Sequence, residues 1–484
     1  MQRSSLRTFP RHRRLALALA GIVCAGADAS GAGHLGVLPG WLDRIAATAG
    51  GTSRPSATTI VVQNCNDSGA GSLRDALAHV SGETTIDLDA LTCSTISLTT
   101  GALVDGGTSD TIRIARSAAY VDGRKQPSLT IDAGNISRVI EHDGAGSMYL
   151  DGIAVQHGHM VGRVGGCIYA VGALYLNGVS VNACTLTMSG SAYAAGGAIY
   201  AKGPLNLNFS TISGNVIEAD AGYTYGGGIF SAYSFGAFYS TIDSNNAHAV
   251  GYGGGLAAVG NVLIEASLVT GNVARYDGGL ALFGNTTFQR GLTIEDSTIT
   301  LNAAIGLVGG VLASDPLYVY NSTIAFNEGI GGALAGGVVM DGGDSLTIVS
   351  TIVADNLAGG ASSDISGAGF IDGDHDLVMA SSVALPPDTI IADPELGLLA
   401  DHGGQTRIMP LMPGSPAIDA GDNAINLNCD QRTGNFAGYD SFITTYQRVI
   451  GLNADIGAFE FGADDEIFPN GFDPSRIAKH CIRR

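Results

Sequence analysis

Two glutamates, Glu265 and Glu295, occupy the same position in a repeated sequence, two residues before a serine. Apolar and polar residues alternate around them, which places both side chains on the solvent side of a β-strand. If the repeats stack as neighbouring strands, the two backbones lie about 5 Å apart. A carboxylate pair at this spacing suits a retaining glycosidase or a cation site. The favoured alternative is two solvated glutamates on an exposed strand.

A second candidate group consists of tyrosines that stand three or four residues before the second glycine of a double glycine: Tyr193, Tyr225, Tyr252 and Tyr276. Stacking of the repeats would align them along one edge, and loops are expected to be exposed. Aromatic rings bind the apolar faces of sugars, so the group predicts a glycan-binding platform. A structural stack that closes the loops is the open alternative.

Metal-ligating patterns are weak in this sequence. His157 and His159 form a His-x-His pair without a third ligand at a recognisable spacing, which favours surface histidines. Asp372, Asp374 and Asp376 resemble the start of a calcium loop, but Leu377 and Val383 stand where an EF-hand requires glycine and glutamate. We therefore expect no cofactor, with calcium as the one alternative left open.

The charge pattern excludes several functions. The chain carries a formal net charge of −20, which disfavours nucleic acid and other polyanions as partners. Between Gly165 and Gly360 the only basic residues are Lys202, Arg275 and Arg290. An enzyme that cleaves acidic polysaccharides needs cationic groups to hold carboxylates, so a polyuronate lyase is disfavoured.

The elements that would position these residues form a repeat. A double glycine recurs 24 to 31 residues apart, with second members Gly166, Gly197, Gly228, Gly255, Gly279, Gly310 and Gly337. Most repeats continue as a short alternating run and end in a Ser-Thr-Ile-x-x-Asn pattern. The asparagines of that pattern form a column: Asn215, Asn245, Asn272, Asn302 and Asn327. Asparagine tolerates the left-handed turn conformation and stacks through its amides, so the column indicates structure and not chemistry.

A repeat of this length predicts stacked units that share one core. About 25 residues cannot hold a helix in addition to these strands, which predicts an all-β parallel solenoid with one coil per repeat. One short helix is expected near the N-terminal end, with Ser72 as N-cap, Asp75 three residues on and Gly82 as the stop. Such a helix would cover the open end of the solenoid.

The sequence also predicts export. Residues 1–29 combine a basic segment, an apolar run and Ala27-Asp28-Ala29, which is typical of a cleaved signal peptide. Residues 30–58 are expected to be a flexible leader, and no later segment is long and apolar enough for a membrane helix. Six cysteines remain after cleavage, which favours disulfides, with Cys65–Cys93 and Cys167–Cys184 as expected pairs. Cys429 and Cys481 are the remaining candidates.

Four further segments and the repeats carry a resemblance to known families. The stretch from Asp67 to Ala76 resembles the start of many secreted bacterial parallel β-helix proteins. The run from Ser415 to Asp422, Asp430-Gln431-Arg432, and Asp455-Ile456-Gly457-Ala458-Phe459-Glu460 together resemble the choice-of-anchor Q family. The repeats are similar to the wider pectin-lyase-like group. The resemblance implies an exported, right-handed parallel β-helix at the cell surface or released from it.

These observations divide the chain into a signal peptide (1–29), a leader (30–58), a cap with first coils (59–164), regular repeats (165–360), last coils with a choice-of-anchor-Q-like region (361–462) and a tail (463–484). The leading hypothesis is a non-enzymatic secreted or surface protein that acts in adhesion or contacts a polysaccharide or cell-surface glycan. A polysaccharide-acting enzyme that uses Glu265 and Glu295 is the alternative, and a purely structural scaffold is the third class. The oligomeric state is left open.

Overall fold

A computed structural model describes residues 58–462, except 107–109, 122–123, 163, 191, 285–290, 343, 368 and 433–445. The predicted signal peptide, nearly all of the leader, the tail, Cys481 and Arg290 lie outside the described residues. The described part is a right-handed parallel β-solenoid of about 11 turns with one short helix. The predicted fold class is confirmed.

Each regular coil runs through four sheets, which we number in chain order. Sheet 1 contains strands Thr58–Val61, Glu83–Asp87, Thr111–Ala115, Ser147–Asp151, Ala173–Asn177, Leu205–Asn208, Ser234–Phe238, Asn261–Glu265, Leu292–Glu295, Leu317–Tyr320, Ser345–Val349 and Phe370–Asp374. Sheet 2 contains strands Thr95–Ser97, Leu129–Asp132, Ile153–Gln156, Ser180–Asn182, Thr211–Ser213, Thr241–Asp243, Leu268–Thr270, Thr298–Thr300, Thr323–Ala325, Ile352–Ala354 and Leu377–Val378.

Two further sheets complete the coil. Sheet 3 contains strands His159–Val161, Thr185–Met188, Val216–Ala219, Asn246–Ala247, Val273–Ala274, Ala303–Ala304, Glu328–Gly329, Leu357–Ala358 and Ala361–Ser362. Sheet 4 contains strands Leu103–Val104, Ile140–His142, Ile168–Ala170, Ile199–Ala201, Ile229–Ser231, Leu256–Val259, Leu280–Phe283, Val311–Ala313, Val338–Met340 and Ile365–Ser366. A small sheet 5 of Tyr193–Ala195, Tyr223–Tyr225 and Val250–Tyr252 lies between sheets 3 and 4 along the chain, and Ala119–Val121 pairs with Arg124–Gln126 as an antiparallel hairpin.

Alternate residues of every strand point inwards. Inward residues at the same position of successive strands stack into apolar columns, and these columns fill the interior. In sheet 1, Leu150, Leu176 and Leu207 are neighbours in register and are fully buried. The residues beside them in each strand point outwards and are half-buried. The alternation in the sequence therefore specifies the inner and outer faces.

The asparagine column is a buried ladder at the turn between sheets 2 and 3. Each amide Nδ2 donates to Oδ1 of the asparagine in the next coil at 2.8–2.9 Å, from Asn215 to Asn356. Cys184 occupies the position before the ladder, and its N–H donates to Asn215 Oδ1 at 3.0 Å. The left-handed conformation, however, belongs to the residue before each asparagine, such as Leu301 (φ 58°) and Phe326 (φ 55°). The stacking prediction is confirmed and the conformational one is wrong.

A second ladder runs along the turn between sheets 1 and 2. The N–H of each column residue donates to the hydroxyl of the next serine: Ser210, Ser240, Ser267, Ser297 and Ser322. Both ladders end in aspartates. Asn356 donates its N–H and its Nδ2 to Asp364 Oδ1, and the N–H of Thr351 donates to Asp376 Oδ1. The last coil thus offers carboxylates where the earlier coils offer neutral groups.

The double glycines are required by the close approach of neighbouring coils. A Cβ on Gly197 would lie 1.9 Å from the carbonyl oxygen of Gly227 in the next coil. The preceding Gly196 has φ 68°, a conformation that side chains disfavour. These glycines make the fold, as the sequence indicates.

The N-terminal helix spans Leu73–Ala78, and Ser72 Oγ accepts the N–H of Asp75 at 3.2 Å, as predicted. The expected stop at Gly82 is wrong, because the helix ends at Ala78 with His79 as C-cap. Leu73, Ala76 and Leu77 bury their side chains against the core at this end of the solenoid. Asp67 accepts hydrogen bonds from the Arg74 guanidinium and from both the hydroxyl and the backbone N–H of Thr99. These bonds connect the helix to the first coils.

The two predicted disulfides are both present. Cys65–Cys93 and Cys167–Cys184 have Cα–Cα distances of 6.5 and 5.6 Å. Cys429 is also disulfide-bonded. In the part of the chain that the structure describes, no helix has the length and apolar character needed to cross a membrane.

After Val378 the chain first pairs with the last coil, through the bridges Ile365–Ser381 and Leu377–Ile390, and then packs sideways on sheet 2. We call residues 396–462 the C-terminal region. Gln431 accepts from Thr298 Oγ1 at 2.6 Å and donates to the carbonyl of Ser267 at 3.2 Å. The N–H of Ala458 donates to Thr323 Oγ1 at 3.1 Å. At the other end, the hairpin residue Arg124 donates to the carbonyl of Gly404 at 2.9 Å. The region therefore extends from the early hairpin to the last coils.

Candidate functional site

The outer face of sheet 1 carries two columns of side chains in register. The first consists of Tyr149, Tyr175, Asn206, Gly236, Leu263, Thr293, Tyr318, Thr347 and Asp372. The second consists of Asp151, Asn177, Asn208, Phe238, Glu265, Glu295, Tyr320, Val349 and Asp374. Most of these residues are polar or aromatic and half-buried, so the face presents a strip of hydrogen-bonding groups at intervals of about 4.8 Å.

At the N-terminal end of this strip the polar groups are bonded to one another. Arg113 Nη1 donates to Asp151 Oδ2 at 2.7 Å, and Asn177 Nδ2 donates to Asp151 Oδ1 at 2.8 Å. The rings of Tyr149 and Tyr175 stack with centroids 4.6 Å apart, and the Arg113 guanidinium lies 5.2 Å from the Tyr149 centroid. Burial raises the pKa of the Tyr175 phenol, which favours the protonated hydroxyl.

The hairpin borders this end of the face. The Lys125 side chain packs against Gly178, where a Cβ would lie 2.7 Å from its Cδ and Cε. Burial lowers the pKa of the Lys125 ammonium, while Asp151 acts in the opposite direction. Together with Arg113, this lysine adds positive charge to a molecule with few basic residues.

Further along, the predicted glutamate pair lies where the repeat places it. Glu265 and Glu295 are direct partners in neighbouring strands of sheet 1, and both are half-buried. Tyr320 is the next residue of the same column. Burial, together with the Glu295 charge, raises the pKa of the Tyr320 phenol. The pair with Tyr320 is an arrangement that could bind hydroxyl groups, and its catalytic role stays a prediction.

The tyrosine group lies elsewhere, on the outside of sheet 4. Tyr225 and Tyr252 stack at 5.6 Å, and Tyr276 stacks on Tyr252 at 5.0 Å. Tyr225 and Tyr252 are each only 4% exposed, because they pack against Phe230 and Phe283. The predicted exposure of the group is therefore wrong for these two residues. The physical reason is that sheet 5 and the segments after it fold back over sheet 4.

The predicted alignment of Tyr193 is also wrong. In sheet 5 Tyr193 pairs with Tyr223, while Ala195 occupies the column of Tyr225 and Tyr252. A stack along a solenoid has a further consequence, since each ring covers a face of its neighbour. Stacked tyrosines therefore offer hydroxyl edges to solvent instead of the ring faces on which sugars pack.

The motifs that resemble the choice-of-anchor Q family form a buried network in the C-terminal region. Arg432 is fully buried, donates to Asp430 at 2.6 Å, and lies 4.0 and 4.3 Å from the ring centroids of Tyr446 and Phe459. Asp430 also accepts the N–H of Glu460 at 3.0 Å. Burial raises the pKa of Glu460 to about 8. These side chains hold the region together and have no open surface for a ligand.

Two groups bear on metal binding. His157 and His159 engage different partners, Asp132 Oδ2 at 3.0 Å and Thr187 Oγ1 at 3.0 Å, which agrees with surface histidines. Asp374 lies with His375 and Asp388 in a cluster whose ligand atoms are all within 4.8 Å of one another. Asp388 is 14 residues from Asp374, which lies beyond the 12 positions of an EF-hand loop.

Arg113 and Tyr149 precede the regular repeats, so the repeat does not predict their positions. Tyr175 lies in the first regular repeat, but Asn206 takes its place in the next one, so the repeat does not single it out. A signal was present, since Tyr149-Leu150-Asp151 and Tyr175-Leu176-Asn177 repeat an alternating tyrosine and polar pattern one coil apart. The hairpin that brings Lys125 to this face has no counterpart in the other described coils.

Comparisons with known proteins add one similarity. No family model matches the chain, and no curated protein matches it. Among solved structures, the chain is similar to the crystal structure of pectate lyase Pel9A, with a TM-score of 0.42 and 14% sequence identity. The alignment covers 84% of this chain and 97% of that one. A likeness of this size carries no inference about activity.

Proposed function

We propose that this protein binds a polysaccharide along the outer face of sheet 1 without cleaving it. The observation that supports the proposal is the bonded group of Arg113, Asp151 and Asn177 beside the Tyr149–Tyr175 stack. These side chains are held in place before any ligand arrives, which lowers the entropic cost of binding. The strip continues through Asn206 and Asn208 to Glu265 and Glu295, so it suits an extended chain and not a single small molecule.

The chemistry of the strip favours a neutral glycan rich in hydroxyl groups. Carboxylates, amides and phenol hydroxyls alternate along it, and these groups both donate to and accept from sugar hydroxyls. Arg113 and Lys125 are its positive groups among the described residues, and Asp151 partly compensates them. A polyanionic ligand would meet Glu265, Glu295, Asp372 and Asp374 along the rest of the face.

The test is binding of the full chain to a panel of neutral and acidic polysaccharides, measured by affinity electrophoresis and calorimetry. The double variant Tyr149→Phe/Tyr175→Phe keeps the stack and removes two outward hydroxyls. Because each hydrogen bond contributes about 0.5–1.5 kcal/mol, we expect about a 10-fold loss of affinity. The matched control is Tyr225→Phe/Tyr252→Phe, which removes hydroxyls from the buried stack and should leave binding unchanged.

Two results would contradict the proposal. One is the absence of binding to every glycan in the panel, which would favour a structural scaffold. The other is equal loss in both double variants, which would place the ligand away from sheet 1. A preference for acidic glycans would show that Arg113 and Lys125 outweigh the glutamates.

The second candidate is a glycoside hydrolase that uses Glu265 and Glu295. Their direct register and the neighbouring Tyr320 favour it, since retaining enzymes need two carboxyl groups close together. Release of reducing sugar that disappears in Glu295→Gln, but not in Asp372→Asn on the same face, would replace binding by catalysis as the function.

We also propose that the protein is exported and belongs to the choice-of-anchor Q group. The two disulfides support an oxidising compartment. The convergence of the Asp430-Gln431-Arg432 and Asp455–Glu460 motifs in one network supports the group, because it explains why these residues occur together. Fractionation of cells that express the full chain, with a labelled internal segment, would test export directly.

A further inference from the structure

An apolar patch lies on the outer face of sheet 3 and on the turn that precedes it, in the coils after Asn272. It consists of six large side chains that are between 36% and 57% exposed: Val273, Leu301, Ile305, Phe326, Ile330 and Leu357. Val273 and Leu357 belong to one outward column, and Ile305 lies beside Ile330 in the next column. The patch extends over four coils, about 14 Å along the solenoid. Large apolar side chains grouped in this way on a surface mark a site of interaction.

The same positions are polar or small in earlier coils, so the solenoid itself does not require apolar residues there. The column that leads to Ile305 and Ile330 passes through polar residues in four preceding coils: Thr187, Glu218, His248 and Arg275. Leu301 and Phe326 precede ladder asparagines, at a turn where an earlier coil has Gly271. All three residues have the left-handed backbone conformation, which favours glycine. The two large side chains therefore lie there against the preference of the backbone, as is typical of a functional position.

A partner would contact the side chains of this face instead of the edge of the sheet. Sheet 3 ends in the short antiparallel pair of Leu357–Ala358 and Ala361–Ser362. An edge strand of two residues is a poor template for an added strand. The patch therefore suits a partner that presents an apolar surface of its own.

Two charged side chains flank the centre of the patch. Arg275 and Glu328 are both exposed, and within the described residues the side chain of neither forms a hydrogen bond or an ion pair. Ala304 pairs with Ala274 in the coil before it and with Gly329 in the coil after it. Arg275 follows the first of these partners and Glu328 precedes the second, so the two charges lie on opposite sides of Ala304.

This arrangement is complementary to itself. A two-fold axis that lies in the plane of the face, passes beside Ala304 and is perpendicular to the line between the two charges brings Arg275 of each copy to Glu328 of the other. Such an isologous contact matches the patch with an equal patch and closes after two copies. An anionic membrane surface fits less well, because the chain carries a formal net charge of −20 and Arg275 is the basic residue at the patch.

We propose that two copies of this chain associate through the apolar patch, with Arg275 of each copy paired with Glu328 of the other. Burial of the six apolar side chains supplies the free energy that offsets the repulsion between two acidic chains. The two ion pairs fix the relative orientation of the copies. This inference does not depend on glycan binding, because sheets 1 and 3 are different faces of the coil.

The experiment is sedimentation velocity of the full chain with its disulfides intact, at concentrations up to about 100 µM. We expect a dimer with a micromolar Kd. Ile305→Glu places a carboxylate inside the contact and should weaken association by about 30-fold or more. Glu218 stands in the same column of an earlier coil, so the coil accommodates this change. The matched control is Val161→Glu, which adds the same charge to the same column outside the patch and should dimerise like the parent protein.

A charge exchange tests the orientation of the two copies. Arg275→Glu and Glu328→Arg should each weaken association by about 10-fold, because each variant places like charges together. An equimolar mixture of these two variants should associate as tightly as the parent protein, because the mixed dimer contains two pairs of opposite charge. A mixture that associates no better than the separate variants would overturn the two-fold arrangement.

Three other results would overturn the proposal as a whole. The first is a parent protein that remains monomeric at about 100 µM. The second is an Ile305→Glu variant that dimerises as tightly as the parent while its thermal unfolding temperature is unchanged. The third is a monomeric parent protein that binds phosphatidylcholine vesicles and loses this binding in Ile305→Glu, which would assign the patch to a membrane surface.

Discussion

Sheets 1 and 2 belong to the same coils, yet their outer faces differ in how far they are buried. In sheet 2, strands Thr211–Ser213 and Thr241–Asp243 leave their outer residues half-buried, whereas Thr298–Thr300, Thr323–Ala325 and Ile352–Ala354 are buried throughout. The C-terminal region covers the later strands. Sheet 1 remains half-exposed over the corresponding coils. A solenoid thus uses one face for its own stability and leaves another for contact with a partner.

The largest expected effect concerns the network that covers sheet 2. Arg432→Met removes a fully buried guanidinium and leaves the buried Asp430 carboxylate without its partner. Breaking such a pair typically costs about 3–5 kcal/mol. The measurement is the free energy of unfolding in urea.

The matched variant on sheet 1 is Arg113→Met, which breaks an ion pair whose arginine is 44% exposed. Exposed pairs contribute at most about 1 kcal/mol, so stability should change little. Similar losses in both variants would contradict the division between a structural face and an open one.

A smaller effect is expected inside the asparagine ladder. Asn272→Ala removes the acceptor for both the N–H and the Nδ2 of Asn245. Leaving buried donors unpaired costs about 1–3 kcal/mol. Asn206→Ala, on the outer face of sheet 1, should change the free energy of unfolding by less than about 0.5 kcal/mol. Equal effects would show that the ladder contributes no more than a surface amide.

A further effect, which depends on pH, is expected at the end of that ladder. Burial raises the pKa of Asp364 to about 6 from its usual 3.8. The folded state therefore binds the proton more tightly, so this contribution to stability is complete below about pH 4 and is lost as the pH rises through 6. Asp364→Asn continues the neutral ladder and should flatten the pH dependence of unfolding across this window. An unchanged slope would show that Asp364 is ionised in the folded protein.

Much of the fold follows from the sequence because it is encoded by short-range repeats. The double glycines and asparagines fix the register, and that register places Glu295 directly beside Glu265. The packing of the C-terminal region is different. Gln431 reaches Thr298 across 133 residues, and no local pattern encodes that contact.

The tyrosines also show that a sequence repeat does not encode contacts between distant segments. The repeat length assigns Tyr225 and Tyr252 to one column, but it does not indicate that Phe230 and Phe283 pack against them. The Asp374 cluster also depends on a long-range turn, because Asp388 lies outside the repeat. Sequence periodicity therefore predicts the coil, and contacts between distant segments decide which surfaces remain open.

The C-terminal region also limits how many coils the solenoid can contain. It is bonded to the hairpin at Arg124 near one end, and Ser350 donates to the carbonyl of Asp422 near the other. Every coil between these two points could be duplicated without disturbing its own ladders, because each ladder needs only a neighbour of the same kind. An added coil would, however, move the two attachment points apart by a further distance of about 4.8 Å, so that one of the two contacts would be lost. The contacts at the two ends of the C-terminal region therefore limit the number of coils, whereas the ladders alone are compatible with any number of coils.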